Sequence, residues 1–202
     1  MELTCGDYLL IMLRIFTSLL AFLTLFICVY AQDATEANNN VSIDIPEVAI
    51  MDVESEGSPS ISLVVQAPSE AGNMIDLTAA VDSSLWLNYS SVRSQAVESS
   101  RAIYAKVISG SVPSGLRLRV KPQPYSGSGD GNLGLPSNGI NGRILVATDR
   151  KIIRNIKTCY TGDGAGNGHR LIYSLEFRNN KYNKLDFDES NTVTVLYTIT
   201  DT

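Results

Sequence analysis

Between Thr158 and Arg170 the chain reads TCYTGDGAGNGHR. Glycines stand at 162, 164, 166 and 168, the protein's only histidine, His169, follows them, and Cys159 precedes them by three residues. A thiol and an imidazole can pair as nucleophile and base, and a turn between them would bring the two face to face. That chemistry also needs an electropositive surround for the thiolate and a group to orient the imidazole, and no neighbouring pattern supplies either. A Walker-type phosphate cradle needs a lysine after its last glycine, and a dinucleotide fingerprint needs G-x-G-x-x-G opening a helix. Here glycine falls at every second position and a strand pattern follows, so both fail. A calcium loop needs oxygen ligands at set spacings and a late bidentate carboxylate. Asp163 and Asn167 offer two oxygens, but Ala165 and Ser174 stand where further ligands belong, and Asp130 and Asn132 in GDGN make an equally incomplete pair. No cofactor or metal is expected. Asp-Gly, Gly-Asn and Asn-Gly are turn dipeptides, because Gly and Asn tolerate positive φ. The expectation is a wide hairpin loop over Thr161–Gly168, with His169 opening the next strand and Cys159 a small buried hydrophobe.

Two other sets could bind rather than react. Trp86, Tyr89, Tyr125 and Tyr160 could stack on sugar rings, although core packing is the commoner use of a tryptophan. Arg117, Arg119, Lys121, Arg150, Lys151, Arg154 and Lys157 form a basic set that could meet an acidic partner. Asn40 and Asn88 begin N-x-S sequons, which matter only in a eukaryotic secretory route.

The elements that must position these residues read as β. In Leu116–Lys121, LRLRVK, period two puts Leu116, Leu118 and Val120 on a core face and the cations in solvent. Arg101–Ser109, RAIYAKVIS, puts Ile103, Ala105 and Val107 on one face. Gly110–Gly115 between them predicts a hairpin with a longer loop. Further strands are expected over Ser60–Ala67 (Ile61, Leu63 and Val65 together), Leu85–Tyr89 (Trp86 opposite Leu85, Leu87 and Tyr89), Gly142–Thr148 (buried on both faces), Ile152–Tyr160, Arg170–Phe177 and Thr192–Thr200. Pro46 interrupts Val41–Ile50 and confines that strand to an edge or a bulge. Only Ser91–Arg101 could form a short helix. Pro122–Gly142, rich in Gly, Ser and Asn, reads as a long loop and a first place to look for a binding surface. Roughly eight or nine short strands indicate an all-β fold, a single antiparallel β-sandwich of immunoglobulin-like or pilin-like type.

Ile15–Ala31 is an uncharged, mostly apolar run with Arg14 before it, polar residues after it, and small Val29 and Ala31 at its end. That is the pattern of a secretory signal over residues 1–31, cut before Gln32, with Met12 as an alternative start. An uncleaved anchor would have to absorb Arg14 to reach spanning length. The mature domain is then 32–202, and its single cysteine, Cys159, leaves packing alone to hold it. Residues 32–82 carry ten acidic groups and no basic one, whereas 83–202 carry fifteen basic and nine acidic. Opposite halves attract, within one molecule or between copies. Bulk basicity is absent, so nucleic acid is not an expected partner, and membrane contact is expected only during export.

Several segments together, IDIPEVAIMDVE, SLWLNYSSV, SGSVPSGLRLRV, CYTGDGAGNGH before LIYSLEF, and VTVLYTITD, resemble a poorly characterised group of secreted β-sandwich proteins of Bacteroidetes, loosely similar to fimbrial and spore-coat-type subunits. The resemblance spans about residues 42–201 and implies export and a structural role at the surface. It brings no catalytic residues, and the disulfide pair of chaperone–usher pilins is missing here. The expected function is non-enzymatic: assembly or adhesion at the cell surface, outside the cell or in the periplasm. The acidic segment Gln32–Glu56 could add as a strand to a neighbour's sheet, the alternative being that its strand pairs within its own sandwich, which is the more expected of the two. The alternative is a carbohydrate-binding module.

Overall fold

The computed structural model describes residues 5–27, 38–137, 139–187 and 191–202. Two compact units divide the chain, Met1–Asp44 and Ile45–Thr202. The first holds helix α1, Cys5–Ile27. Among the described residues no helix is long and apolar enough to cross a membrane. The expected cleavage residues, Val29, Ala31 and Gln32, lie outside the described residues.

The second unit is all-β. Its described residues form nine strands: β1 (Val48–Ser55), β2 (Val81–Val92), β3 (Arg101–Ser109), β4 (Leu116–Pro122), β5 (Asp130–Pro136), β6 (Arg143–Ile144), β7 (Arg150–Tyr160), β8 (His169–Phe177) and β9 (Thr194–Asp201). All pairings are antiparallel, and the strands join in one sheet of order β6-β4-β8-β2-β7-β3-β9, with β1 on β2 and β5 on β7. The strand count matches expectation, but two separate sheets do not form. Instead the single sheet folds over, so that Tyr173 of β8 and Tyr197 of β9, far apart in the pairing order, share a hydroxyl–hydroxyl hydrogen bond. Leu85, Leu87, Ile103, Leu118, Val120, Ile152, Ile153, Ile156 and Leu171 fill the enclosed core.

Alternation marked the strands well. β4 buries Leu116, Leu118 and Val120 and turns its cations outward, and β3 runs over the expected residues. Partner choice differs. Among the described strands only β1 and β2 are sequence neighbours that also pair. β3 and β4 form no hairpin, because β7, β2 and β8 lie between them. The Gly110–Gly115 connection therefore crosses the structure, with Gly110 at φ 77° hard against the Thr192 carbonyl. Ser60–Ala67 keeps its alternation, with Ile61, Leu63 and Val65 half-buried, yet only Gln66 makes a bridge, to Asp76. Gly142–Thr148 yields just the two-residue β6 and buries Leu145 rather than both faces. The expected helix is a turn at Gln95–Val97 beyond the end of β2. Pro122–Gly142 contains β5, held on β7, so it is not one long loop. The early strand starts after Pro46, not at Val41, and pairs in full register with β2, Val48 opposite Val92 and Ser55 opposite Leu85.

One polar group ties the ends of this sheet together. Arg101, 1% exposed, opens β3. Its Nε donates to Asp201 at 2.8 Å, and its Nη1 donates to the Val48 carbonyl and, at 3.3 Å each, to Ser91 Oγ and the Val92 carbonyl. Its Nη2 reaches Glu47 and, at 3.3 Å, Glu98. Burial opposes the charge, but Asp201, Glu98 and Glu47 outweigh it, so the guanidinium pKa lies above its ordinary value. The fork of donors thus joins the start of β1, the end of β2 and the end of β9. Replacing it by the apolar Arg101→Met would remove the donors that two carbonyls, a hydroxyl and three carboxylates share. The expected loss is about 3 kcal/mol, read as a lower urea midpoint at unchanged slope.

Candidate functional site

Strand β2 is where the glycine run acts. β1 occupies one edge of β2 along residues 85–92. On the other edge β8 pairs with Val81–Leu87 and β7 with Ser90 and Ser91. Two strands therefore share one edge and diverge at Asn88–Tyr89. The loop Thr161–Gly168, which connects them, caps the fork and is not a hairpin. Thr161, fully buried, fills the gap in the ladder: its N–H donates to the Tyr89 carbonyl at 3.0 Å, and its Oγ1 accepts the Tyr89 N–H at 2.9 Å. Asn88 Nδ2 donates to the Gly164 carbonyl at 3.0 Å. Gly168, at φ 89°, lies so close to the Leu87 carbonyl that a Cβ would collide with it. The glycines permit a close crossing over backbone.

His169 opens β8 as expected and is fully buried behind this fork. Its Nδ1 faces the Gln123 carbonyl at 2.8 Å and so carries a proton. Its Nε2 lies 3.0 Å from the Tyr89 hydroxyl and 3.3 Å from the Leu133 carbonyl, and the same hydroxyl donates to Leu133. The Tyr89 ring stacks on the imidazole, and Tyr125 meets it edge-on. Tyr125 Oη accepts the Gly129 N–H and donates to the Thr161 carbonyl at 3.2 Å. The cluster clamps the chain between β4 and β5 onto the fork. Burial holds the His169 pKa below its usual value, against the Gln123 and Leu133 carbonyls, which favour its proton. Burial lifts the Cys159 thiol to about 11. Among the described residues no hydrogen bond joins Cys159 to His169, and both ring nitrogens have other partners.

The remaining candidates separate. Asn167 spends its side chain inside the loop, with Oδ1 accepting Ser128 N–H at 3.0 Å and Nδ2 donating to the Asp163 carbonyl at 2.7 Å. Asp130 Oδ1 accepts the Gly131 N–H, and Asn132 is exposed on β5. Among the described residues Asp130 and Asp163 belong to no group of three His, Cys, Asp or Glu side chains close enough to share an ion. Among the described residues one carboxylate trio, Glu47, Glu98 and Asp201, is compact enough to hold an ion, and Arg101 already sits among them.

Of the aromatics, Tyr89 is 3% exposed and cannot stack on a sugar, and Tyr125 is half-buried in the clamp. Trp86 is half-buried beside its cross-strand partner Arg170, whose guanidinium lies 5.8 Å from the ring. Tyr160 alone of the four is exposed. Asn88 is buried, so its sequon is closed to modification. The basic set splits between two strands that do not pair. On β4, Arg117 and Arg119 engage Glu176, and Arg119 holds that carboxyl below its ordinary pKa; Lys121 stands half-buried beside them. On β7, Lys151 lies over the Tyr104 ring, while Arg150, Arg154 and Lys157 are exposed and form no ion pair among the described residues.

Sequence reasoning missed Arg101, Thr161 and the fork. A lone arginine opening a strand, and a threonine after a tyrosine, carry no local signal. No protein-family model matches the chain, and neither a curated protein nor a solved structure matches it.

Two outcomes follow for solution chemistry. A histidine whose folded pKa is depressed binds its proton more readily in the unfolded chain, so stability falls as pH drops below about 6.5, until the folded pKa is reached. Denaturant melts at pH 7.5, 6.5 and 5.5 should show that decline, and His169→Gln should flatten it over this window. Cys159 should resist alkylation at pH 8 in the native protein and react once urea unfolds it, as read by peptide mass spectrometry.

Proposed function

We propose that this chain is an exported, non-enzymatic β protein that acts by assembly or adhesion at the cell surface. One observation carries the assembly half. Ahead of β1, Val41, Ile43 and Ile45 are 75%, 82% and 73% exposed, alternate with Ser42 and Asp44, and belong to no strand. Apolar residues in period two, extended and uncovered, are suited to adding a strand to a neighbour's sheet edge. β1 itself is already paired within its own sheet, so the donor is the stretch ahead of β1, of which Asn38–Glu47 is described. Asp44 would favour a basic edge, and Arg150, Arg154 and Lys157 offer unpaired cations. Export rests on the N-terminal pattern and on the sequence resemblance. The alternative of glycan binding is favoured by the exposure of Tyr160.

The test is light scattering after size-exclusion chromatography at low and high salt, on the purified chain and on a variant lacking Asn38–Pro46. The deletion keeps Glu47 for Arg101. Salt-sensitive oligomers are expected for the full chain, and a folded monomer for the deletion. Oligomers that persist in the deletion, or a monomeric full chain at both salts, would sink the assembly reading.

A further inference from the structure

We propose that a groove on the outer face of the sheet, bounded by β1, the end of β2 and the loop after β7, binds a neutral sugar. The inference rests on the adhesion half of the reading above, and supplies its ligand.

The groove comes from strand register. Ile50 of β1 pairs with Ser90 of β2, Ser90 with Tyr160 of β7, and Tyr160 with Asp130 of β5. Directly paired residues share a face, so these four form one row across four strands. Ile50 and Tyr160, 64% and 52% exposed, flank the Ser90 hydroxyl. One step along, Asp52 pairs with Asn88, and Gly162 and Asp163 close the end. The space enclosed is about 420 Å³, within the range of small-molecule clefts, roughly 300–1,000 Å³.

Its chemistry selects the ligand. No lysine or arginine lines the groove, and Asp52 and Asp163 form no ion pair among the described residues. An anion would meet only carboxylates. Asn88, at the groove floor, is 6% exposed, with its Nδ2 committed to Gly164 and its Oδ1 closed off beside Gly168. The groove thus presents the carboxylates of Asp52 and Asp163 as acceptors, with the hydroxyls of Ser90 and Tyr160, and calls for a donor-rich, uncharged ligand. Tyr160 and Ile50 on either side of Ser90 match the alternation of C–H face and hydroxyl on a pyranose ring. A lysine side chain offers donors at one end only and leaves that alternation unmet.

Calorimetry on the full chain should use cellohexaose, xylohexaose and mannohexaose, with trigalacturonate and pentalysine as charge controls. One neutral hexasaccharide should bind, and trigalacturonate should not. Tyr160→Ala and Asp163→Asn should each weaken binding by about tenfold, the scale of one aromatic contact. Both side chains are exposed, so unfolding temperatures should stay unchanged. If Tyr160→Ala unfolds, Asp163→Asn alone decides. Silence with all three neutral sugars, binding of pentalysine in their place, or affinity that survives the folded variants would overturn the proposal. The Asn38–Pro46 deletion leaves the groove intact, so failure of assembly and failure of sugar binding are read separately.

Discussion

Strand β2 gives one edge to two partners, and the rest of the second unit is arranged around that fact. β8 and β7 cannot both continue along the same row of backbone groups, so they part at Asn88–Tyr89 and leave a gap. An unpaired buried N–H or carbonyl there would be costly. Thr161 fills the gap with its own backbone and hydroxyl. Once it does, the chain must cross over β2 at close range, which requires glycine at 168. The crossing in turn brings His169 against Tyr89 and turns Tyr160 outward.

At the far end of β2, Arg101 performs the matching task. β1, β2 and β9 all have an end near Arg101, and each presents backbone or side-chain oxygens to it. A single guanidinium, with five N–H donors in a rigid fork, answers them together. Its carboxylate partners Glu47 and Asp201 remain largely in water. The interior therefore keeps one cation whose hydrogen bonds are all made, and the compensating charge stays hydrated.

Much of the strand content was legible in the sequence because burial on one face writes a period of two. Arg101–Ser109, Leu116–Lys121 and Arg170–Phe177 each carry it, and each is a strand. Pairing was not legible. A hairpin is inferred when two strands flank a turn, yet nothing in GSVPSG or TGDGAGNG records that another strand comes between. β7 departs from period two because register shifts and Asn155 at φ 61° rotate it, so Ile152, Ile153, Ile156 and Cys159 face inward. β5 was hidden because its glycines, which admit the close approach of β7, read as loop composition. Of the candidate residues, Tyr89 shares the alternating face of Leu85 and Leu87 and is buried with them, whereas the exposure of Tyr160 follows from the broken period of β7.

The scarcity of local pairing also shapes how the chain must reach this state. Among the described strands only β1 and β2 can zip up as neighbours, and even they are joined across residues 56–80. Every other ladder waits for a strand made later, and the Arg101 fork is incomplete until Asp201, 100 residues further on, arrives. Non-local topologies of this kind fold slowly. Strands that wait for distant partners keep their apolar faces and edges uncovered for longer than hairpins would, which leaves the folding chain open to capture by factors that act on unfolded polypeptide.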